Sequence, residues 1–133
     1  MKQIFLAPRS NETAYKNYIS SMQGRPKAEL EQYLSESEQE TLSRLDSIHA
    51  WGCQPSLEGR WASMNIGDYV LFYARGKFLS VGELIFKKKS SELALALWPR
   101  SKDTNEPWSC VFFVDKIVQI DLSLEDFNQL TGY

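Results

Sequence analysis

Hydrophobic positions along this chain change their spacing near residue 48, from a sparse helical period to dense runs. Before that point, Lys2 to Ala7 reads as a buried strand ended by Pro8. In residues 11–24, Tyr15, Tyr18, Ile19 and Met22 recur at i, i+3, i+4 and i+7. That spacing predicts a helix, with Ser10 or Asn11 able to cap it and Gly24 to end it. Residues 27–47 are polar and acid-rich, with Leu30, Leu34, Leu42 and Leu45 as their apolar positions. They predict one or two surface helices, and Ser35 with Glu38 has capping-box spacing. Acidic side chains repel phosphate, which places this stretch away from any nucleic-acid face.

From Ile48 onward the pattern is mainly that of strands. HAWGC (49–53) predicts a short strand, LEGRWASM (57–64) a helical turn and NIGD (65–68) a tight turn. YVLFYA, dense in aromatic and β-branched residues, predicts a central strand. Arg75-Gly76 makes a hairpin turn into KFLSVGELIF, where Gly82 marks a bulge or a close backbone approach. Residues 90–99 predict a brief helix stopped by Pro99, and 100–107 a polar loop. SCVFFVDKIVQIDLS (109–123) predicts one strand or two, followed by a closing helix capped by Ser123. The expected architecture is an α+β domain, a small curved mostly antiparallel β-barrel flanked by helices.

At 133 residues and 43% hydrophobic content, the chain has the size of one domain with one core. The ending at Tyr133 without a linker suits a domain cut from a longer chain. A formal charge of -2 excludes a generally basic surface, so a nucleic-acid partner must be held by a local patch. Cys53 and Cys110 lie far apart without CxxC spacing, which points to reduced thiols and a cytoplasmic protein. With His49 the sole histidine, no metal site is expected, and no cofactor. The amino terminus does not read as a signal peptide, and no apolar run reaches membrane-spanning length.

Four tryptophans in so short a chain bear most directly on function: Trp51, Trp61, Trp98 and Trp108. They either line a pocket for a flat ligand or fill a Trp-rich core, and composition alone does not separate the two. Trp61, in a helical turn, reads as core.

The order strand, helix, Trp51-Gly52, Gly67-Asp68-Tyr69-Val70-Leu71-Phe72-Tyr73, Trp98, Trp108 and the strand Val111 to Val114 resembles the PUA-like superfamily. Within it the chain is most similar to EVE and YTH-like domains, and to the amino-terminal DNA-recognition domains of McrB-type modification-dependent restriction systems. The resemblance runs over nearly the whole chain and implies a single domain, 1–133, that reads a methylated base turned out of the duplex. On it, Trp51 matches the first aromatic wall of the pocket and Trp98 or Trp108 the second. Ser10 and Asn11 fall where family members set a polar side chain against the base edge, a place that a helix cap also explains. Gly52 and Cys53 are placed to offer backbone groups to the base.

Energetics suit that role. Extruding a base costs a few kcal/mol, and stacking on an aromatic face returns roughly 1–3 kcal/mol. Two tryptophan planes sandwiching the base would balance extrusion. A buried methyl group adds about 0.8 kcal/mol, so burial alone discriminates by less than about ten-fold.

Lys87, Lys88 and Lys89 form the strongest basic run, and with Arg60, Arg75, Lys77, Arg100 and Lys102 are candidates for phosphate contacts. A solvated strand end explains the lysines equally well. Asp68 reads as a turn residue and His49 as structural. No nucleophile-base-acid set, P-loop or metal cluster is visible, which places any nuclease or GTPase activity in a fused or partner domain. The expected function is recognition of a methylated base in DNA; the alternatives are an RNA reader and a module for a small ligand or peptide. The base itself, N6-methyladenine or 5-methylcytosine, is not written in the sequence.

Overall fold

Two long strands form the spine of the molecule, and the rest of the sheet is laid on either side of them. The computed structural model describes residues 4–8, 24–53, 55–74, 77–98 and 108–123. Six strands, β1 (Ile4–Pro8), β2 (Arg25–Pro26), β3 (Ser47–Cys53), β4 (Tyr69–Ala74), β5 (Lys77–Lys89) and β6 (Cys110–Ser123), form a mixed sheet in the order β1-β4-β5-β6-β3-β2. β1 pairs with β4 in parallel, Ile4 opposite Tyr69, and the other pairings among the described strands are antiparallel. A strand feeding a parallel neighbour far along the chain leaves no local sequence signal, and neither does the two-residue β2.

The spine is long because the apolar and β-branched runs continue, 13 residues in β5 and 14 in β6. Its register slips between Phe78 and Ser80, Val81 and Glu83, and Leu84 and Phe86. Such bulges bend a ribbon and increase its twist. Gly82 sits at one slip, where a Cβ would come within 3.0 Å of Val114 Cβ, so both readings of this glycine hold. On the opposite strand Lys116 takes a φ of 53°, a left-handed conformation that a bulge imposes on a residue with a side chain.

Short helices cover the sheet: α1 (Lys27–Leu30), α2 (Glu36–Thr41), α3 (Glu58–Ala62) and α4 (Ser91–Leu97). α2 starts with the expected capping box. The Ser35 hydroxyl accepts from the Glu38 N–H at 3.2 Å while Glu38 Oε1 accepts from the Ser35 N–H at 2.8 Å. α4 starts at Ser90, whose hydroxyl accepts from the Leu93 N–H at 3.1 Å, and buries Leu93, Ala94 and Leu97. The core joins these leucines to Phe72, Leu84 and Phe113, with Phe86 stacked on Phe113 at 4.9 Å. Leu30, Leu34 and Leu42 bring the acid-rich segment onto the same core.

The tight turn at 65–68 is built by Asp68. Its Oδ2 accepts from the Asn65 N–H at 2.8 Å, and its backbone N–H donates to the Asn65 carbonyl at 2.9 Å. The helix expected over 11–24, apart from its closing Gly24, and the one after Ser123, together with the polar loop 100–107, fall outside the described residues.

Candidate functional site

Three elements converge where β3 meets the start of β6. β3 carries Trp51, Gly52 and Cys53, α4 ends at Trp98, and Trp108 stands two residues before β6. The antiparallel register sets Gly52 opposite Val111 and Cys53 opposite Cys110. Trp98 is held at the helix end, its backbone N–H donating to the Ala94 carbonyl at 2.7 Å.

The structure brings all three candidate cage tryptophans into mutual contact. Ring centroids are 6.0 Å apart for Trp51 and Trp98, 5.2 Å for Trp51 and Trp108, and 5.6 Å for Trp98 and Trp108. The expected sandwich is not what they form. Their planes meet at 76°, 67° and 52°, edge to face or tilted, and no parallel pair stands open for a base. Trp51 and Trp98 are 5% and 4% exposed, so Trp51 belongs to the core and does not project into a mouth, while Trp108 is half-buried. Trp51 also meets Phe72 edge-on at 6.3 Å, which ties the cluster to the centre of the core.

Gly52 has a different task from the one expected of it. A Cβ there would lie 2.9 Å from Trp98 Cζ3 and 3.0 Å from the Trp108 carbonyl oxygen. The absent side chain is therefore space for the Trp98 benzo ring, and the close approach is to an indole of this chain. The benzo edge of Trp98 lies on Gly52. Among the described residues the Trp98 Nε1 is buried without a hydrogen-bond partner, a state that costs about 1–3 kcal/mol. Trp61 provides the contrast: its Nε1 donates to the Val111 carbonyl at 3.1 Å. Trp61 is partly buried against the core, as expected.

The lysine run is the clearest departure from the sequence reading. Lys87 Nζ donates to the carbonyls of Trp61, Ala62 and Met64 at 3.1, 3.2 and 2.7 Å, and lies 4.9 Å over the Trp61 ring. It closes the carboxyl end of α3, where carbonyls lack helical partners. Lys88 Nζ pairs with Glu38 Oε1 at 2.6 Å, and Lys89 pairs with Glu58. The acid-rich segment thus lies against the lysines instead of far from them. Burial acts to raise the Glu38 carboxyl, but the hydrogen bonds from Lys88 and Ser35 outweigh it and hold the group below its ordinary value. Elsewhere Arg44 donates to Asp115 at 2.8 Å, and that bond, ahead of burial, keeps Asp115 below the usual carboxylate range.

Topology also joins the two cysteines that the sequence separates. Cys110 is buried, Cys53 is partly buried, and the Cys53 Sγ lies 3.9 Å from the Cys110 carbonyl oxygen. Burial, then the neighbouring Cys110, push the Cys53 thiol up to about 12. Burial and the Glu58 carboxylate raise Cys110 as well. No local spacing announces this pair, because it depends on the β3–β6 register. Ser10, Asn11, Arg75, Arg100 and Lys102, and the side chain of Lys77, lie outside the described residues. Arg60 lies on α3, one residue before Trp61. Among the described residues, no group of three or more metal-binding side chains gathers, and no helix is long and apolar enough to cross a membrane.

No family model matches this chain, and neither does any curated protein. A solved structure does: the N-terminal domain of Thermococcus gammatolerans McrB bound to m5C DNA, with a TM-score of 0.72 and 19% sequence identity. The match covers 99% of this chain and 84% of that one. The molecule therefore has the α+β fold of that domain, a mixed six-stranded sheet with short helices.

Proposed function

We propose that this chain is a DNA-recognition module that reads a methylated base, of the EVE/YTH-like kind, and that it targets a modification-dependent restriction system. The observation that carries this reading is the tryptophan cluster with its unpartnered Trp98 N–H, set in a fold shared with a domain solved on m5C DNA. A cluster that only filled a core would gain from satisfying or omitting that donor.

In this reading the half-buried Trp108 is the ring that gives way. A base leaving the duplex loses a few kcal/mol of stacking and pairing. It takes the place of Trp108 between Trp51 and Trp98, and Trp108 closes over it as the second aromatic face, returning roughly 1–3 kcal/mol. A carbonyl or ring nitrogen of the base accepts from Trp98 Nε1. Phosphate contacts come from Arg60, Arg75, Lys77, Arg100 and Lys102, while the amines of Lys87, Lys88 and Lys89 hold partners within the chain. The module works as one domain of a larger cytoplasmic system, in which a fused or partner nuclease or GTPase performs the chemistry.

A titration of the full chain with matched duplexes tests this. The arms are DNA with 5-methylcytosine, DNA with N6-methyladenine, unmodified DNA, and RNA with and without a methylated base. The reading requires tightest binding to one methylated DNA. Tightest binding to RNA makes the chain an RNA reader, and no binding to any arm returns the cluster to a core or a small-ligand site.

A further inference from the structure

We propose that Cys53 and Cys110 form an oxidisable cross-strand dithiol, whose disulfide ties β3 to the first residue of β6 beside the tryptophan cluster. The two residues are direct partners in an antiparallel register, so their side chains leave the same face of the sheet. Opposed residues in such a pair have Cα atoms about 4.5–5.5 Å apart, inside the roughly 4.4–6.8 Å range that a disulfide spans. The Cys53 sulfur is already turned toward its partner, 3.9 Å from the Cys110 carbonyl oxygen. Both thiols are free.

The chemistry is exchange with a small-molecule disulfide. Cys53, the partly exposed thiol, loses its proton to solvent and attacks one sulfur of the reagent, forming a mixed disulfide and releasing one thiolate. Cys110 then loses its proton and attacks Cys53 Sγ, which breaks the mixed bond and releases the second thiolate. The two cysteines are oxidised by two electrons, the reagent is reduced to two thiols, and the protons lost from the cysteines equal those the thiolates take up. Burial keeps Cys53 protonated near neutral pH, so the first step is slow and accelerates about ten-fold per pH unit while the thiol remains below its ionisation range. The pair therefore responds to sustained oxidation and not to a brief pulse.

Its position gives the bond a consequence. Gly52 is the residue before Cys53, and the Trp108 carbonyl oxygen lies 3.0 Å from where a Gly52 Cβ would be. A covalent tie at 53 and 110 fixes the strand spacing on which that contact depends.

The test incubates the folded full chain with oxidised glutathione, quenches with acid, and maps the products by intact mass and non-reduced peptides. The proposal requires a chain two hydrogens lighter with a Cys53–Cys110 link, reversed by dithiothreitol, and a thermal midpoint that is higher while the link is present. Cys110→Ala should stop at a stable glutathione adduct on Cys53, and Cys53→Ala should leave Cys110 unreacted. A folded wild-type chain that keeps both thiols, holds a persistent adduct, or links between chains overturns the proposal. Mapping of the wild type decides the matter even if a variant fails to fold.

Discussion

The Trp98 indole rests on Gly52, with its Cζ3 2.9 Å from the point a Cβ would occupy. Gly52→Ala therefore forces either the indole or the strand to move, because Trp98 is packed on its other sides by Trp51 and Trp108. Overpacking of this kind costs typically 1–3 kcal/mol. Urea unfolding of the variant should show a loss in that range, with tryptophan emission altered in the folded state. A loss under about 0.5 kcal/mol would mean that the cluster is loosely packed.

Phe72 anchors the opposite end of the aromatic system. It is fully buried on β4 and meets Trp51 edge-on. Phe72→Ala should remove about 3–5 kcal/mol by leaving a cavity. Chemical denaturation measures this directly, and a loss below about 1 kcal/mol would place β4 outside the core.

Lys87, Lys88 and Lys89 should act on stability and not on DNA. Lys87→Met removes three hydrogen bonds from the end of α3 and should cost about 1–3 kcal/mol. A Lys88→Gln, Lys89→Gln double variant should leave the salt dependence of DNA binding unchanged, since their ammonium groups are paired with Glu38 and Glu58. If the slope of log affinity against log salt falls by roughly one unit per lysine, phosphates displace those carboxylates and the lysines belong to the interface.

Alkaline pH should destabilise the fold through the partly buried Cys53 thiol. Burial pushes the Cys53 thiol of the folded chain up to about 12, above the ordinary value of 9.0 that it regains on unfolding. The folded chain then holds a proton that the unfolded chain releases. The stabilisation is complete below the unfolded value and is lost as pH rises from about 9 toward about 12. Thermal midpoints should fall more steeply over that interval for wild type than for Cys53→Ala, and identical alkaline limbs would show an exposed thiol.

Local features were legible from the chain alone and non-local ones were not. The capping box of Ser35 and Glu38, the turn at Asp68 and the strand 69–74 are set by neighbours within a few residues, and each stands as the pattern implied. Gly82 was readable because a glycine inside a strand has few other reasons to be there. The same physics hid the rest. A lysine run looks like a phosphate patch until a register brings Glu38 and Glu58 to it, and Cys53 finds Cys110 through strand pairing across 57 residues. The resemblance singled out Trp51 and either Trp98 or Trp108, and the edge-to-face and tilted contacts among all three depend on the helix end and the strand start arriving together.

Because Trp51 and Trp98 are core residues, Trp108 is the tryptophan whose removal separates reading from folding. The deciding measurement is the affinity ratio for a methylated duplex over its unmodified twin, in wild type and in Trp108→Ala, with a thermal melt of each protein. The account predicts a wild-type preference for the methylated duplex. In the variant, affinity for that duplex should fall by roughly five-fold to more than a hundred-fold, the equivalent of 1–3 kcal/mol of stacking, with binding to unmodified DNA nearly intact. A variant that melts like wild type and keeps the same preference would contradict the assignment of the tryptophan cluster as the reader.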